Sequence, residues 1–331
     1  MKKIRVGVLG CAEIAKRYAI PAIATLSGVE LVAVSSRSKE KANALAQEYG
    51  VDAESYESLI ARTDIDAVYS PLPVGLQEEW VLKAAAAGKH VICEKSITYS
   101  LESAKRMVEA CKDAGVALYE NFVPEFHPQH AKILSLIAEG NIGEPLVWTG
   151  YDGYPPREID DIRYQSDLKG GALNYAGCYT VFMSRKIMQG EPLAVTCRLT
   201  HNDNNVDIAG TAFFEFEKGE ALMSFGFNHL YQNTYSVWGT KGIVTTNRAF
   251  AIPPTLVPQV VLVTNNGKEE QREVVDVSAA NQFALSFDFF FKVIAENNTE
   301  RFNDLYQRIL AQARVLEAMR TSAKEGGRVA L

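Results

Sequence analysis

Hydrophobic and polar positions change rhythm once along this chain. Up to residue 121, short apolar runs alternate with segments of helical period; further on, a period of two takes over. The runs at 6–9, 31–35, 67–70, 90–93 and 116–119 predict strands. Segments 42–49, 77–87 and 101–114, closed by Gly50, Gly88 and Gly115, predict helices. Strands that are apolar throughout and joined by helices predict a doubly wound parallel sheet covered on both faces. That is an α/β Rossmann domain over residues 1–121.

After Asn121 the pattern breaks at Phe122-Val123-Pro124-Glu125-Phe126-His127-Pro128, a proline-punctuated crossover. His127 there reads more readily as structural than as a ligand or base. A helix over 129–138 and a strand over 145–153 are expected next. A polar loop follows at 154–169, carrying Glu158, Asp160, Asp161 and Asp167. Gly170-Gly171 opens a helix that runs to Met188 and sets Tyr175 and Tyr179 on one face. Residues 194–275 alternate with period two, with hairpin turns at Lys218-Gly219 and Asn266-Gly267. Helices over 280–296 and 302–323 close the chain. Residues 122–331 are thus expected to form an α+β domain with a large, mostly antiparallel open sheet.

Composition narrows the function. The 331 residues are 47% hydrophobic and 22% charged, as in ordinary globular proteins, and suit two domains. A net charge of -6 with no basic run argues against nucleic acid. No apolar stretch reaches the ~18 residues that span a bilayer. The five cysteines form no C-x-x-C pair, which argues against a disulfide framework or a metal site and for a reducing cytoplasm.

Doubly wound sheets bind ligands at the carboxyl ends of their strands. After the first strand comes Gly10-Cys11-Ala12-Glu13-Ile14-Ala15, a weakened G-x-G-x-x-G; a pyrophosphate loop and a plain turn both fit. After the second come Ser36, Arg37 and Ser38, with no acid for ribose hydroxyls. A guanidinium there suits a 2′-phosphate and favours NADP; a solvated arginine is the alternative. Pro71 and Leu72 make a stiff apolar loop, either the wall beside a flat cofactor ring or an ordinary turn. Glu94-Lys95 ends a buried strand. Lys95 can donate to a substrate oxygen or relay a proton, or else seal the sheet end as an ion pair.

These stretches, with Gly88-Lys89-His90-Val91-Ile92-Cys93-Glu94-Lys95, Phe126-His127-Pro128-Gln129, Gly170-Gly171-Ala172-Leu173, Gly177-Cys178-Tyr179 and Asn281-Gln282-Phe283, resemble the Gfo/Idh/MocA oxidoreductases. The order and spacing hold over nearly the whole chain. The Gly-Cys-Ala start and the Ser-Arg-Ser turn look most like NADP-using members, nucleotide-sugar 3-ketoreductases and dihydrodiol dehydrogenases among them. The resemblance implies hydride transfer between a nicotinamide (NADP, with NAD possible) and a carbon of a sugar, nucleotide sugar or cyclitol. It makes Lys95 the donor to the reacting oxygen and Tyr179 the general acid/base. A lysine cation beside a phenol would stabilise the phenolate. Gly10, Cys11, Ala12, Glu13, Ile14, Ser36, Arg37, Ser38, Pro71, Leu72, Glu94, Lys95 and Gln282 are expected at the cofactor, and Lys95, Asn121, Tyr175 and Tyr179 at the substrate. Family members often pair through the open sheet, which implies a homodimer or homotetramer.

Four positions depart from the family pattern. Ser96 replaces a proline, Val74 and Gln77 replace an asparagine and a histidine, and Tyr175 replaces an aspartate. Two other functions stay open: a related glycoside hydrolase with internal redox, and an idle dinucleotide sensor or scaffold.

Overall fold

The computed structural model describes residues 3–265 and 267–331. Two compact units emerge, Met1–Asn121 with Phe283–Ala313, and Phe122–Gln282 with Arg314–Leu331. The first break falls where the residue pattern changes rhythm. Segment 283–313 differs from the expected division by packing with the first unit. Its phenylalanines explain this: Phe287 meets Tyr69 edge-on at 5.2 Å and Phe290 stacks on Tyr119 at 5.7 Å.

The first unit holds β1 (Ile4–Leu9), β2 (Val29–Ser35), β3 (Asp52–Glu54), β4 (Ala67–Ser70), β5 (His90–Glu94) and β6 (Leu118–Asn121). All pair in parallel, in the order β3-β2-β1-β4-β5-β6. This is the dinucleotide-binding order, with its reversal between β1 and β4. The short β3 and the helix Tyr56–Ala61, capped by Ser55, lack the long apolar runs that announce the other elements. The helix after β4 starts at Val74, three residues earlier than expected, directly behind Pro73.

The second unit holds β7 (Pro145–Tyr154), β8 (Ala194–His201), β9 (Asp207–Glu215), β10 (Glu220–Phe227), β11 (Gln232–Gly239), β12 (Gly242–Asn247), β13 (Val260–Asn265), β14 (Glu270–Val275) and β15 (Val329–Ala330). Their order is β14-β13-β12-β11-β7-β10-β9-β8-β15. Among the described residues of this sheet, only β7 and β10 pair in parallel. Lys218-Gly219 makes the β9–β10 turn, with Phe216 N donating to Gly219 O (3.0 Å). Asn266 of the other expected turn lies outside the described residues; Gly267 follows it with φ 88°. One face carries the core of Trp148, Phe214, Phe225, Tyr235 and Val237, packed with the helix Cys178–Ile187. On the other, Leu222, Thr149, Ser236, Thr245, Val261 and Val274 form a row across neighbouring strands. No described helix is long and apolar enough to cross a membrane.

Candidate active site

In the first unit the residues expected at the cofactor, from Gly10 to Lys95, follow the carboxyl ends of β1, β2, β4 and β5, and Asn121, expected at the substrate, ends β6. Gly10 turns the chain with φ 111°, a backbone that side chains resist, and its amide donates to Ser35 O (2.9 Å). A Cβ on Gly10 would stand 3.1 Å from Leu72 Cδ2 and 3.6 Å from Tyr56 Oη. The turn, the proline loop and Tyr56 therefore bound one concavity. Cys11 Sγ donates weakly to Ser35 O (3.7 Å) and Lys41 O (3.6 Å), and burial raises its pKa against the pull of Ser36, Lys16 and Lys41. Ala12 O receives Ala15 N and Lys16 N, opening a π-helical turn at Ala15–Ala19. Ile14 is half-buried at its start, whereas Glu13 is exposed, 3.8 Å from Lys16 and 3.5 Å from Arg17.

Beyond β2, Ser36 Oγ accepts from Ser38 N (3.2 Å), and Ser38 Oγ caps the next helix at Lys41 N (3.2 Å). Arg37 is exposed above a cavity of about 590 Å³ lined by Ser36, Lys39, Asn43, Ser55 and Tyr56. Burial raises the Tyr56 pKa, and Arg37 beside it pulls the other way.

At the end of β5 a hydrogen-bonded chain holds Glu94. Its Oε1 accepts from Tyr69 Oη (2.9 Å) and Asn121 Nδ2 (2.8 Å). Asn121 Oδ1 accepts from Ser286 Oγ (2.7 Å), which meets Tyr119 Oη at 3.1 Å. Burial raises the Glu94 pKa, against the lowering effect of Asn121, Lys95 and Tyr69. Lys95 follows, half-buried, joined to Ser96 by a cis peptide bond. Asn121, expected at the substrate, is fully buried with both ends of its amide engaged, so it acts from behind Glu94. Gln282 is buried at the start of Gln282–Glu296, and its Oε1 has no hydrogen-bond partner among the described residues.

In the second unit, the π-helical turn Leu173–Gly177 continues into Cys178–Ile187 and carries both expected tyrosines. The Tyr179 ring stacks on Phe250 (5.8 Å) and meets Phe122 edge-on (6.0 Å). The Arg163 guanidinium lies 5.2 Å over the Tyr175 ring and pairs with Asp161 at 2.8 Å. The polar loop is thus anchored through Arg163, and Tyr164 Oη accepts from Arg157 N (3.2 Å). His127 caps the helix Pro128–Ala138, and burial lowers its pKa to about 4, which supports its structural reading. Among the described residues no metal-binding cluster is gathered.

Residues 4–122 match the description "Oxidoreductase family, NAD-binding Rossmann fold", and residues 130–245 match the GFO/IDH/MocA C-terminal domain. A dTDP-3,4-didehydro-2,6-dideoxy-alpha-D-glucose 3-reductase of Actinomadura kijaniata is 35% identical over 97% of this chain and 96% of its own. The chain belongs to the Gfo/Idh/MocA family of oxidoreductases. A further relative, the D-xylose 1-dehydrogenase (NADP(+)) 2 of Haloferax volcanii, is 32% identical over 98% of this chain and 99% of its own. Among solved structures, the 3-ketoreductase KijD10 of Actinomadura kijaniata, in complex with NADP and TDP-benzene, superposes with a TM-score of 0.91. It is 34% identical, with 97% of this chain and 98% of that one covered. Other solved forms of KijD10 carry a replaced lysine or a replaced tyrosine.

Against the Gfo/Idh/MocA pattern, Gln77 has a defined structural task. It accepts from Ser70 Oγ (2.7 Å) and donates to Ser70 O (3.1 Å) and Leu72 O (2.9 Å), bracing the proline loop. Val74 is buried at the first turn of the same helix. Tyr56 and Ser286 were not among the expected site residues. A capping serine before Tyr56, and a small polar residue inside Phe283-Ala284-Leu285-Ser286-Phe287, are the signals they left.

Proposed function

We propose that this protein is an NADP-dependent oxidoreductase acting on a CH–OH carbon of a sugar or nucleotide sugar. The observation that carries this is the near-full-length likeness to the Actinomadura reductase and to the Haloferax dehydrogenase. The lysine and tyrosine replaced in solved forms of KijD10 are as far apart along that chain as Lys95 and Tyr179 are here. The relatives named above are oxidoreductases, which gives no support to the hydrolase or the idle sensor.

The residues fit the cofactor. Gly10 leaves space where a side chain would fill the concavity; Arg37 and Lys39 line the adjoining cavity together with Glu54, Glu57 and Glu79, and Arg37 is the group there that would pair with a 2′-phosphate. Cys11, Ala12, Glu13 and Ile14 would line the loop, Pro71 and Leu72 the ring, and Gln282 would present its unpartnered carbonyl. NADP, when bound, supplies hydride exchange at the nicotinamide ring. Lys95 would donate to the reacting oxygen and hold its developing charge. Tyr179 would exchange the proton of that oxygen, and Tyr175 would line the sugar. Glu94, locked by Tyr69 and Asn121, would fix the direction of the Lys95 backbone.

The apolar positions of the open sheet support self-association through that face: Trp238 is 58% exposed, Leu222 44% and Val274 63%. Five free cysteines fit a reducing cytoplasm.

Lys95→Ala tests the assignment. With NADP and a panel of aldoses and nucleotide sugars, turnover should fall by about 100- to 10,000-fold while NADP affinity holds. Strong residual turnover would remove Lys95 from the chemistry.

A further inference from the structure

The helix that carries Tyr175 and Tyr179 starts on a carboxylate from elsewhere in the second unit. Asp207, the first residue of β9, accepts a hydrogen bond from Leu173 N through Oδ2 at 2.6 Å. The first amides of a helix have no partner within it, and a negative group there also meets the positive end of the helix dipole. Gly171 makes the contact possible. Its φ is 120°, and a Cβ on it would stand 2.1 Å from Asp207 Oδ1.

The same junction gathers the end of the polar loop. Gly171 N donates to Arg163 O and Gly170 N to Gln165 O, both at 2.9 Å. Asn174 Nδ2 donates to Lys169 O (3.0 Å), and Asn174 Oδ1 accepts from Arg320 Nη2. Burial raises the Asp207 pKa, and the Leu173 amide and the Arg320 guanidinium pull the other way. Carboxylate, guanidinium and amide thus clamp residues 170–174, directly ahead of both tyrosines.

We infer that Asp207 is a positioning residue for the proton-exchanging tyrosine: by capping Leu173 it sets the start of the helix that aims Tyr179. This rests on the role proposed above for Tyr179. Asp207 does not meet the reacting atoms. Its effect is on orientation, where a displacement of about 1 Å can cost about 100-fold in rate.

The test uses the full-length enzyme, with D-xylose and NADP as first probe and then whichever panel sugar turns over. Asp207→Ala should lower kcat by about 10- to 100-fold, leave NADP affinity unchanged and still melt cooperatively. Asp207→Asn keeps an acceptor for Leu173 N but loses the charge, and should fall between the two. In a Tyr179→Phe background neither substitution should have a further effect. Amide exchange should speed up at residues 172–176 and stay unchanged in the Rossmann strands. Unchanged kcat in both variants, or a loss that only tracks the fraction unfolded, overturns the inference. If Asp207→Ala does not fold, Asp207→Asn decides by the same criteria. Should Tyr179→Phe keep full turnover, the role of Tyr179 fails; should only the Asp207 variants be silent, this inference fails alone.

Discussion

Lys95 and Tyr179 are held by different physics. In the first unit, a chain of hydrogen bonds from Tyr119 through Ser286, Asn121 and Glu94 to Tyr69 backs the strand end that carries Lys95. In the second, Tyr179 leans on two rings, Phe250 and Phe122. Hydrogen bonds are directional, and a partly broken buried network is costly, so the first arrangement tolerates little displacement. Offset rings fix a plane but allow sliding within it. The contrast teaches that the first unit fixes its strand end through one side-chain network, whereas in the second the rings set the plane of Tyr179 and the hydrogen bonds at residues 170–174 set the start of the helix that carries it.

The largest expected effect breaks the ring side. Phe250→Ala should lower unfolding stability by about 3–5 kcal/mol and reduce kcat, with NADP affinity retained. Denaturant unfolding and steady-state kinetics check both, and an unaltered kcat would mean the helix backbone alone positions Tyr179.

Acid should act next. His130 is buried, with Nδ1 at 2.8 Å from Tyr235 Oη and Nε2 at 2.9 Å from Ala249 O, and burial lowers its pKa to about 3. The unfolded chain therefore binds a proton that the folded chain refuses. Its stabilising contribution is complete above about pH 6.5 and falls by about 1.4 kcal/mol per pH unit as pH drops toward 3. His127, at about 4, adds in the same sense. Stability measured against pH should show a shallower acid limb in His130→Gln than in the unmodified protein; identical slopes would refute this.

The smallest effect sharpens the polar side. Arg37 is exposed, so its attraction to a 2′-phosphate is screened. Arg37→Ala should weaken NADP by about 5- to 10-fold, roughly 1 kcal/mol, and leave NAD nearly unchanged. Equal losses for both nucleotides, by titration, would end the case for phosphate recognition.

Much of the first unit was legible because continuous apolar strands and glycine stops report local rules. Gly10, Lys95 and the helix after Pro73 follow from them within a few residues. The locking of Glu94 was not legible, since Ser286 lies 165 residues from Asn121 and only folding joins them. For the same reason Asn121 reads as a substrate contact until its amide is seen engaged. In the second unit the period of two announced the sheet, and Gly170-Gly171 with the apolar periodicity up to Met188 announced the helix. The parallel β7–β10 pair and the Asp207 cap depend on register, which alternation alone leaves open.

The polar loop is pinned at both ends, by Tyr164 Oη near Arg157 and by the glycine junction on Asp207. Between Arg157 and Asp161 the exposed tip Glu158-Ile159-Asp160 carries none of those anchors and is exchangeable. Replacing those three residues with the ones of a relative that has another sugar preference, while Arg157, Asp161, Arg163, Tyr164, Gln165, Gly170, Gly171 and Asp207 stay untouched, is a compact route to probing selectivity without rebuilding the scaffold.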